Sequence, residues 1–230
     1  MKKLFILLIA LTFMFITAKA YAGENSNFAG LYLSGNIGLV DTNMGGANTA
    51  AVSGTSATST GLSSSKTAFA FDLNAGYNYA FKNTPLILGL GLIYLNNSKI
   101  TANGTLTYQG VSYPESISYD SYSYGAYLEP GVVVQKKILI YGRLGETHNH
   151  IGSASYTFNG STANFTTSSG GGSLYYALGV QYLVTNNIGI NFEWDAVNQS
   201  ISYSGSLAGP NTHMHNNDFL IGLSYYFGNI

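Results

Sequence analysis

The sequence predicts an all-β fold: an eight-stranded antiparallel up-and-down β-barrel that crosses a membrane, with long extracellular loops and short periplasmic turns. Three observations carry this expectation. About eight segments alternate apolar with polar residues, the period of a strand with two unlike faces. Three connections are tight, Lys82 to Pro85, Gln135 to Lys137 and Thr185 to Asn187, while the four between them are long and rich in Gly, Ser, Thr and Asn. Charged residues make up 8% of the chain, against ~25% in ordinary soluble domains.

The N-terminus has the form of a Sec-type leader. Lys2 and Lys3 precede an apolar run from Leu4 to Thr17, followed by the small-residue sites Ala18-Lys19-Ala20 and Ala20-Tyr21-Ala22. Residues 1–22 are therefore expected to be a signal peptide and 23–230 a single barrel domain. The run is shorter than the ~20 residues of a spanning helix, and no Cys follows it, which excludes a lipoprotein. Removing Lys2, Lys3 and Lys19 leaves six basic against ten acidic residues, so the net charge moves from −1 to −4. No basic run remains, which argues against nucleic acid as a partner. With no Cys, the fold needs no disulfide.

Parity then sorts each segment into an outward and an inward face. The first turns Leu31, Leu33, Ile37 and Leu39 one way and Tyr32, Ser34, Asn36 and Gly38 the other. The second opposes Phe69, Phe71, Leu73, Ala75, Tyr77, Tyr79 and Phe81 to Ala68, Ala70, Asp72, Asn74, Gly76, Asn78 and Ala80. In the third, Leu86, Leu88, Leu90, Leu92 and Tyr94 face out and Gly89 and Gly91 in, although Ile87, Ile93 and Leu95 are apolar too. The fourth places Tyr122, Tyr124, Ala126, Leu128, Val132 and Val134 outward, with Tyr127 and Glu129 inward. Pro130 removes a ladder hydrogen bond there, and a bulge or early strand end beside Gly131 is expected.

The fifth segment turns Ile138, Ile140 and Leu144 out and Tyr141 and Arg143 in. The sixth opposes Leu174, Tyr176, Leu178, Val180, Tyr182 and Val184 to Tyr175, Ala177, Gly179 and Gln181. The seventh sets Ile188, Ile190, Phe192 and Trp194 against Gly189, Asn191, Glu193 and Asp195. The eighth sets Phe219, Ile221, Leu223, Tyr225 and Phe227 against Asp218, Leu220, Gly222, Ser224 and Tyr226. Aromatic spacing fits a bilayer. Phe71 and Tyr79 lie about 26 Å apart along a strand rising ~3.3 Å per residue, or ~20 Å after a tilt of roughly 40°. A soluble lipocalin-like barrel would be apolar inside; here the inward face holds nearly all the strand charges.

Three stretches resemble the membrane domain of the OmpA family and, more broadly, the OmpX- and opacity-type eight-stranded barrels. They are Ile140-Tyr141-Gly142-Arg143-Leu144-Gly145; Ala177-Leu178-Gly179-Val180-Gln181-Tyr182 with Thr185 and Glu193-Trp194; and the closing Phe219 to Gly228. The resemblance implies that Arg143 and Glu193 belong to an interior polar cluster. It also implies that Gln181, Asn191 and Glu129 stand where the family has Glu, Arg and Lys, which makes an ion-pair conduction gate doubtful. Phe227 matches the aromatic end expected to meet the outer-membrane assembly machinery. The periplasmic peptidoglycan-binding domain of OmpA proper is expected to be absent, since the sequence ends at Ile230.

The inward polar set is Asp72, Glu129, Arg143, Gln181, Asn191, Glu193 and Asp195. It is either a selectivity constriction or a hydrogen-bonded plug, and the narrow interior of an eight-stranded barrel favours the plug. Its acids in excess of Arg143 must be protonated, wetted or paired with Lys66 or Lys99 near the rim. His148 and His150, and His213 and His215, form two same-face pairs. They are weak metal candidates, because the pairs fall on separate strands and face outward. No Ser follows on the His-bearing face, although Glu146 precedes it there, so a lipid-modifying enzyme is not expected.

The loops carry more. Thr105 to Tyr108 and Ile117 to Tyr122 keep alternating beyond the expected membrane edge, and Tyr156 and Phe158 flank the Asn159-Gly160 hairpin signal. Tyr108, Tyr113, Tyr119, Tyr156, Phe158 and Tyr203 are thus the candidate surface contacts. Gly45 to Ser65 has no charge and reads as a mobile loop.

The function expected is that of a non-enzymatic surface protein of a Gram-negative outer membrane, an adhesin or surface antigen, monomeric and without cofactor. A small-solute porin and, behind it, a lipid-modifying enzyme are the alternatives. Expected partners are outer-membrane lipids including lipopolysaccharide, the assembly machinery, and host or matrix proteins.

Overall fold

Each of eight long segments has one face that can meet lipid and one that cannot, so every backbone group must find its partner on a neighbouring strand. The computed structural model describes residues 26–45, 49–52, 55–60, 65–108, 110–158, 161–166, 172–201 and 212–227. The expected leader lies outside these residues. In chain order the strands are β1 (Gly30–Gly45), β2 (Thr49–Val52), β3 (Thr55–Thr60), β4 (Ser65–Ala80), β5 (Leu86–Tyr108), β6 (Val111–Val134), β7 (Ile138–Phe158), β8 (Ser161–Thr166), β9 (Gly172–Leu183), β10 (Ile188–Ile201) and β11 (Thr212–Tyr226). Eight of them close a barrel in the order β1, β4, β5, β6, β7, β9, β10, β11 and back to β1, all antiparallel. Closure leaves the bilayer no free strand edge.

The outward residues are exposed and apolar: Leu33, Ile37, Leu73, Leu128, Ile140, Leu144, Leu178, Phe192, Phe219 and Leu223 lie 50–61% open, an arrangement that only lipid makes favourable. The uncertain third segment resolves cleanly, with Ile87, Ile93 and Leu95 buried inside and Leu86, Leu88 and Leu92 outside. An aromatic belt runs across four adjacent strands at the extracellular end. Phe71 meets Tyr94 at 6.2 Å, Tyr94 stacks on Tyr122 at 6.0 Å, and Tyr122 meets His150 at 4.7 Å. At the other end Tyr79 packs edge-on against Phe81, and Tyr225 against Phe227. These are the two interfacial girdles of a membrane barrel.

Two expectations change. Pro130 causes neither a register shift nor an early end; it stands opposite Leu88 in a β6 that continues to Val134. Its missing donor is absorbed by a lapse in the β6–β7 pairing, which resumes at Gly131 opposite Tyr141. Part of the segment expected to be a mobile loop is instead β2 and β3, a short hairpin whose second strand pairs with β5 at Thr58 opposite Thr107. Its threonines and Val52 suit a strand, and the tip of β5 supplies the ladder.

Strands β5, β6 and β7 outrun the others. Beyond the girdle, β5 continues from Asn96 to Tyr108, roughly 40 Å of strand at ~3.3 Å per residue. Register irregularities fall between Asn97 and Ile100 and between Tyr119 and Ser121, where the wall leaves the barrel. An extra residue bends a strand and increases its twist. With β2, β3 and β8 added, the projecting part is one six-stranded sheet in the order β2, β3, β5, β6, β7, β8.

Candidate functional site

Two regions hold the residues of interest: the bore and the projecting sheet. In the bore, parity places one inward side chain every second residue, and the register decides which of them meet. Arg143 on β7 donates from Nε to Glu129 Oε2 on β6 at 2.7 Å and from Nη1 to Glu193 Oε1 on β10 at 2.5 Å. Its guanidinium lies between the rings of Tyr127 and Tyr141, at 4.7 and 5.0 Å from their centroids. Tyr141 donates to Glu193 Oε2, and Tyr32 donates to Glu129 while bonding Tyr127. Both carboxylates are thus held by a cation and a hydroxyl, the saturation that a buried ion pair requires.

A second chain of bonds crosses the opposite wall. Asn36 donates from Nδ2 to both oxygens of Asp72, at 2.7 and 3.0 Å, and Asn74 donates to Asp72 Oδ1 at 2.7 Å. Asn191 donates to Asn36 and accepts from Ser224. Gln181 accepts from Tyr226 at 2.9 Å, and Asp195 accepts from Tyr175 at 3.2 Å. All seven residues proposed from sequence for the interior cluster are buried here, none more than 5% exposed. The register gathers Glu129, Arg143 and Glu193 into one ion-paired knot and leaves Gln181 and Asn191 in separate neutral contacts.

The sequence reading grouped neither the tyrosines that frame Arg143 nor Asp218, which is fully buried directly opposite Asp195. Parity had put Asp218 on the inward face; only the β10–β11 register puts it beside Asp195. Of the two lysines considered as partners for the acids, Lys99 is exposed and the side chain of Lys66 lies outside the description.

The bore is closed from the periplasmic side. Phe28 and Ala29, just before β1, tuck under the barrel and pack with Tyr32, Ile87, Leu139, Tyr141, Leu183 and Tyr226 into an apolar plug. A second cluster, including Ile93, Leu95, Tyr127, Tyr175 and Val197, fills the extracellular half on the β5–β10 side. Polar and apolar layers therefore alternate along the axis.

The histidines do not converge. His148 and His150 on β7 and His215 on β11 are exposed, with β9 and β10 between them. His148 lies against Tyr124 and His150 against Tyr122, in the outer girdle. The side chain of His213 lies outside the description, as do those of Tyr108, Tyr119, Tyr156 and Phe158, whose backbones stand in β5, β6 and β7. Tyr113 is half-buried on β6, and Tyr203 falls outside the described residues altogether.

In the projecting sheet, β2 and β8 are the outermost strands, each paired on one side only among the described residues. Their sequences, Thr-Ala-Ala-Val and Ser-Thr-Ala-Asn-Phe-Thr, contain no charge and no Pro. Charges and prolines are the usual devices that keep an exposed edge from pairing.

A family model described as the outer membrane protein β-barrel domain matches residues 7–227. Among curated proteins nothing matches the chain. Several solved structures are similar. Ail, the attachment invasion locus protein of Yersinia pestis, solved with the heparin analogue sucrose octasulfate, is 15% identical over 85% of this chain and 99% of that one, with a TM-score of 0.44. OprG of Pseudomonas aeruginosa is 11% identical over 88% and 99%, with a TM-score of 0.49. The outer membrane protease OmpT of Escherichia coli is 14% identical over 86% and 97%, with a TM-score of 0.44.

Proposed function

The chain belongs to the outer membrane protein β-barrel family, and we propose that within it this protein is a non-enzymatic surface protein whose projecting sheet is the working part. The observation that carries this reading is the six-stranded sheet built outside the girdle, with an uncharged, Pro-free strand at each edge. Such an edge binds an extended partner through main-chain hydrogen bonds, with side-chain contacts on alternate positions giving selectivity. A host-matrix or serum protein is the partner class that fits a sheet projecting beyond the outer girdle. Export by the N-terminal leader, with removal of residues 1–22, and insertion through the closing Phe227 complete the reading.

The bore favours structure over transport. Its polar groups are bonded to one another around Arg143, and the periplasmic mouth is packed with apolar side chains. His148 and His150 lie against Tyr124 and Tyr122 in the outer girdle, a placement that favours a structural part in the barrel wall over a lipid-modifying site.

The test is display of the barrel on a non-adherent Gram-negative strain, followed by binding of matrix and serum proteins. The control is the same barrel with residues 101–119 and 153–168 shortened. Binding by the intact form that disappears on shortening, while the barrel still inserts, is the expected result. Binding by neither form, or equally by both, would overturn the proposal.

A further inference from the structure

We propose that the barrel interior holds one divalent cation of the calcium type, gripped by Asp72, Glu193 and Asp195 with Asp218 beside them. This inference stands apart from whatever the projecting sheet binds. Carboxylate oxygens of Asp72 on β4 and of Glu193 and Asp195 on β10 all lie within 4.8 Å of one another. Calcium–oxygen bonds of 2.3–2.6 Å put oxygens on opposite sides of the ion at about 4.8 Å, so the three ligands have the span of one such site. The donors are hard oxygens without nitrogen or sulfur, a set that suits calcium or magnesium and not zinc or copper.

Four buried oxygens in and beside this cluster have no hydrogen-bond partner. Asp195 is fully buried; its Oδ2 accepts from Tyr175, and its Oδ1 has no hydrogen bond. Asn74, 3% exposed, gives its Nδ2 to Asp72 and has an unpartnered Oδ1. Asp218 is fully buried, both its oxygens lack a partner, and it stands opposite Asp195 on the same inward face. Directly opposed residues of an antiparallel pair have Cβ atoms about 5 Å apart, and like charges there repel. Arg143 forms ion pairs with Glu129 and Glu193. Asp72, Asp195 and Asp218 thus add carboxyl groups that Arg143 does not engage. Leaving buried charge uncompensated is costly, and a cation sharing these oxygens removes the cost.

Past Asp218 toward the extracellular end, Thr42 donates to Asn216 at 2.9 Å, and the Asn216 Nδ2 is unpartnered. The inward residues of β1 and β4 at this level, Gly38, Val40 and Ala70, are small.

The test uses the full barrel refolded in detergent, stripped with a chelator at neutral pH and titrated with calcium chloride by calorimetry. Folding of each form is checked by its heat-modifiable migration on a gel. One ion per barrel and a higher melting temperature with calcium are expected. Asp195→Asn should weaken binding by roughly tenfold or more, the scale on which altering a metal site acts. Asp218→Asn should weaken it less, and Glu146→Gln, on the lipid face, should leave it unchanged. Asp195 Oδ1 accepts no hydrogen bond, so Asp195→Asn breaks none there and should fold. Calcium heat that is absent up to millimolar concentration would overturn the proposal, with protons holding the carboxyls together instead. Binding that survives Asp195→Asn would overturn it equally.

Discussion

Three inward tyrosines each face a glycine directly across the ladder: Tyr32 opposite Gly76, Tyr127 opposite Gly91, and Tyr141 opposite Gly179. A Cβ on Gly91 would sit 2.5 Å from the Tyr127 ring, and one on Gly179 would sit 2.3 Å from that of Tyr141. The missing side chain lets each ring lie flat over the neighbouring strand, where Tyr127 and Tyr141 can flank Arg143. Gly91→Ala should therefore lower the unfolding free energy by about 1–3 kcal/mol, the range for overpacking, read from the urea midpoint of the refolded barrel. Arg143→Met should cost more, about 3–5 kcal/mol, because it strands two buried carboxylates. Adding Glu129→Gln and Glu193→Gln should recover most of that loss in the same urea series. If Arg143→Met alone unfolds at the wild-type midpoint, the ion-paired knot contributes little. The identity of these inward residues was legible in the sequence, because period-2 parity is strict where one face meets lipid. Their partners were not: that Asp218 meets Asp195 follows from register, which sequence alone leaves open across the long connection before β11.

Among the elements, the tight turns and the long strands behave differently. The turn between β6 and β7 holds Gln135 and Lys136 at φ of 53° and 61°, a conformation that favours glycine. Lys136→Gly should raise stability by about 1 kcal/mol, the scale of left-handed strain in an L-residue, as a shift in the urea midpoint without change in slope. An unchanged or lower midpoint would mean that the turn is unstrained. The spanning parts of all eight barrel strands could be read from sequence, since lipid outside and a packed bore inside impose opposite chemistries on alternate positions. The projecting lengths could be read only in part. Above the girdle both faces of a strand meet water, so alternation there loses its meaning, although the Asn159-Gly160 signal fits the pairing of Phe158 with Ser161. Strands β2 and β3 were unreadable because the ladder that makes them strands comes from the distant tip of β5.

At the scale of the molecule, a filled barrel carries a lopsided extracellular sheet. Phe28 and the tyrosine-rich layer above it close the periplasmic mouth, and the bore below the outer rim has its polar groups largely bonded to one another. Planar bilayers containing the pure protein should stay silent, whereas Phe28→Ala combined with Tyr226→Ala should admit brief openings. Steady conductance from the unaltered protein would move the function into the bore. The sheet gains its rigidity from ladder bonds that continue past the girdle, and its usefulness as a binding surface depends on being built before a partner arrives, since a preorganised edge avoids the ordering cost of a loose loop. Backbone amide exchange of the refolded barrel, resolved over residues 101–119 and 153–158, tests that directly. Slow exchange there, approaching that of the spanning strands, is the result this account predicts. Exchange as fast as in an unstructured loop would contradict it, because no prebuilt sheet would then stand above the membrane.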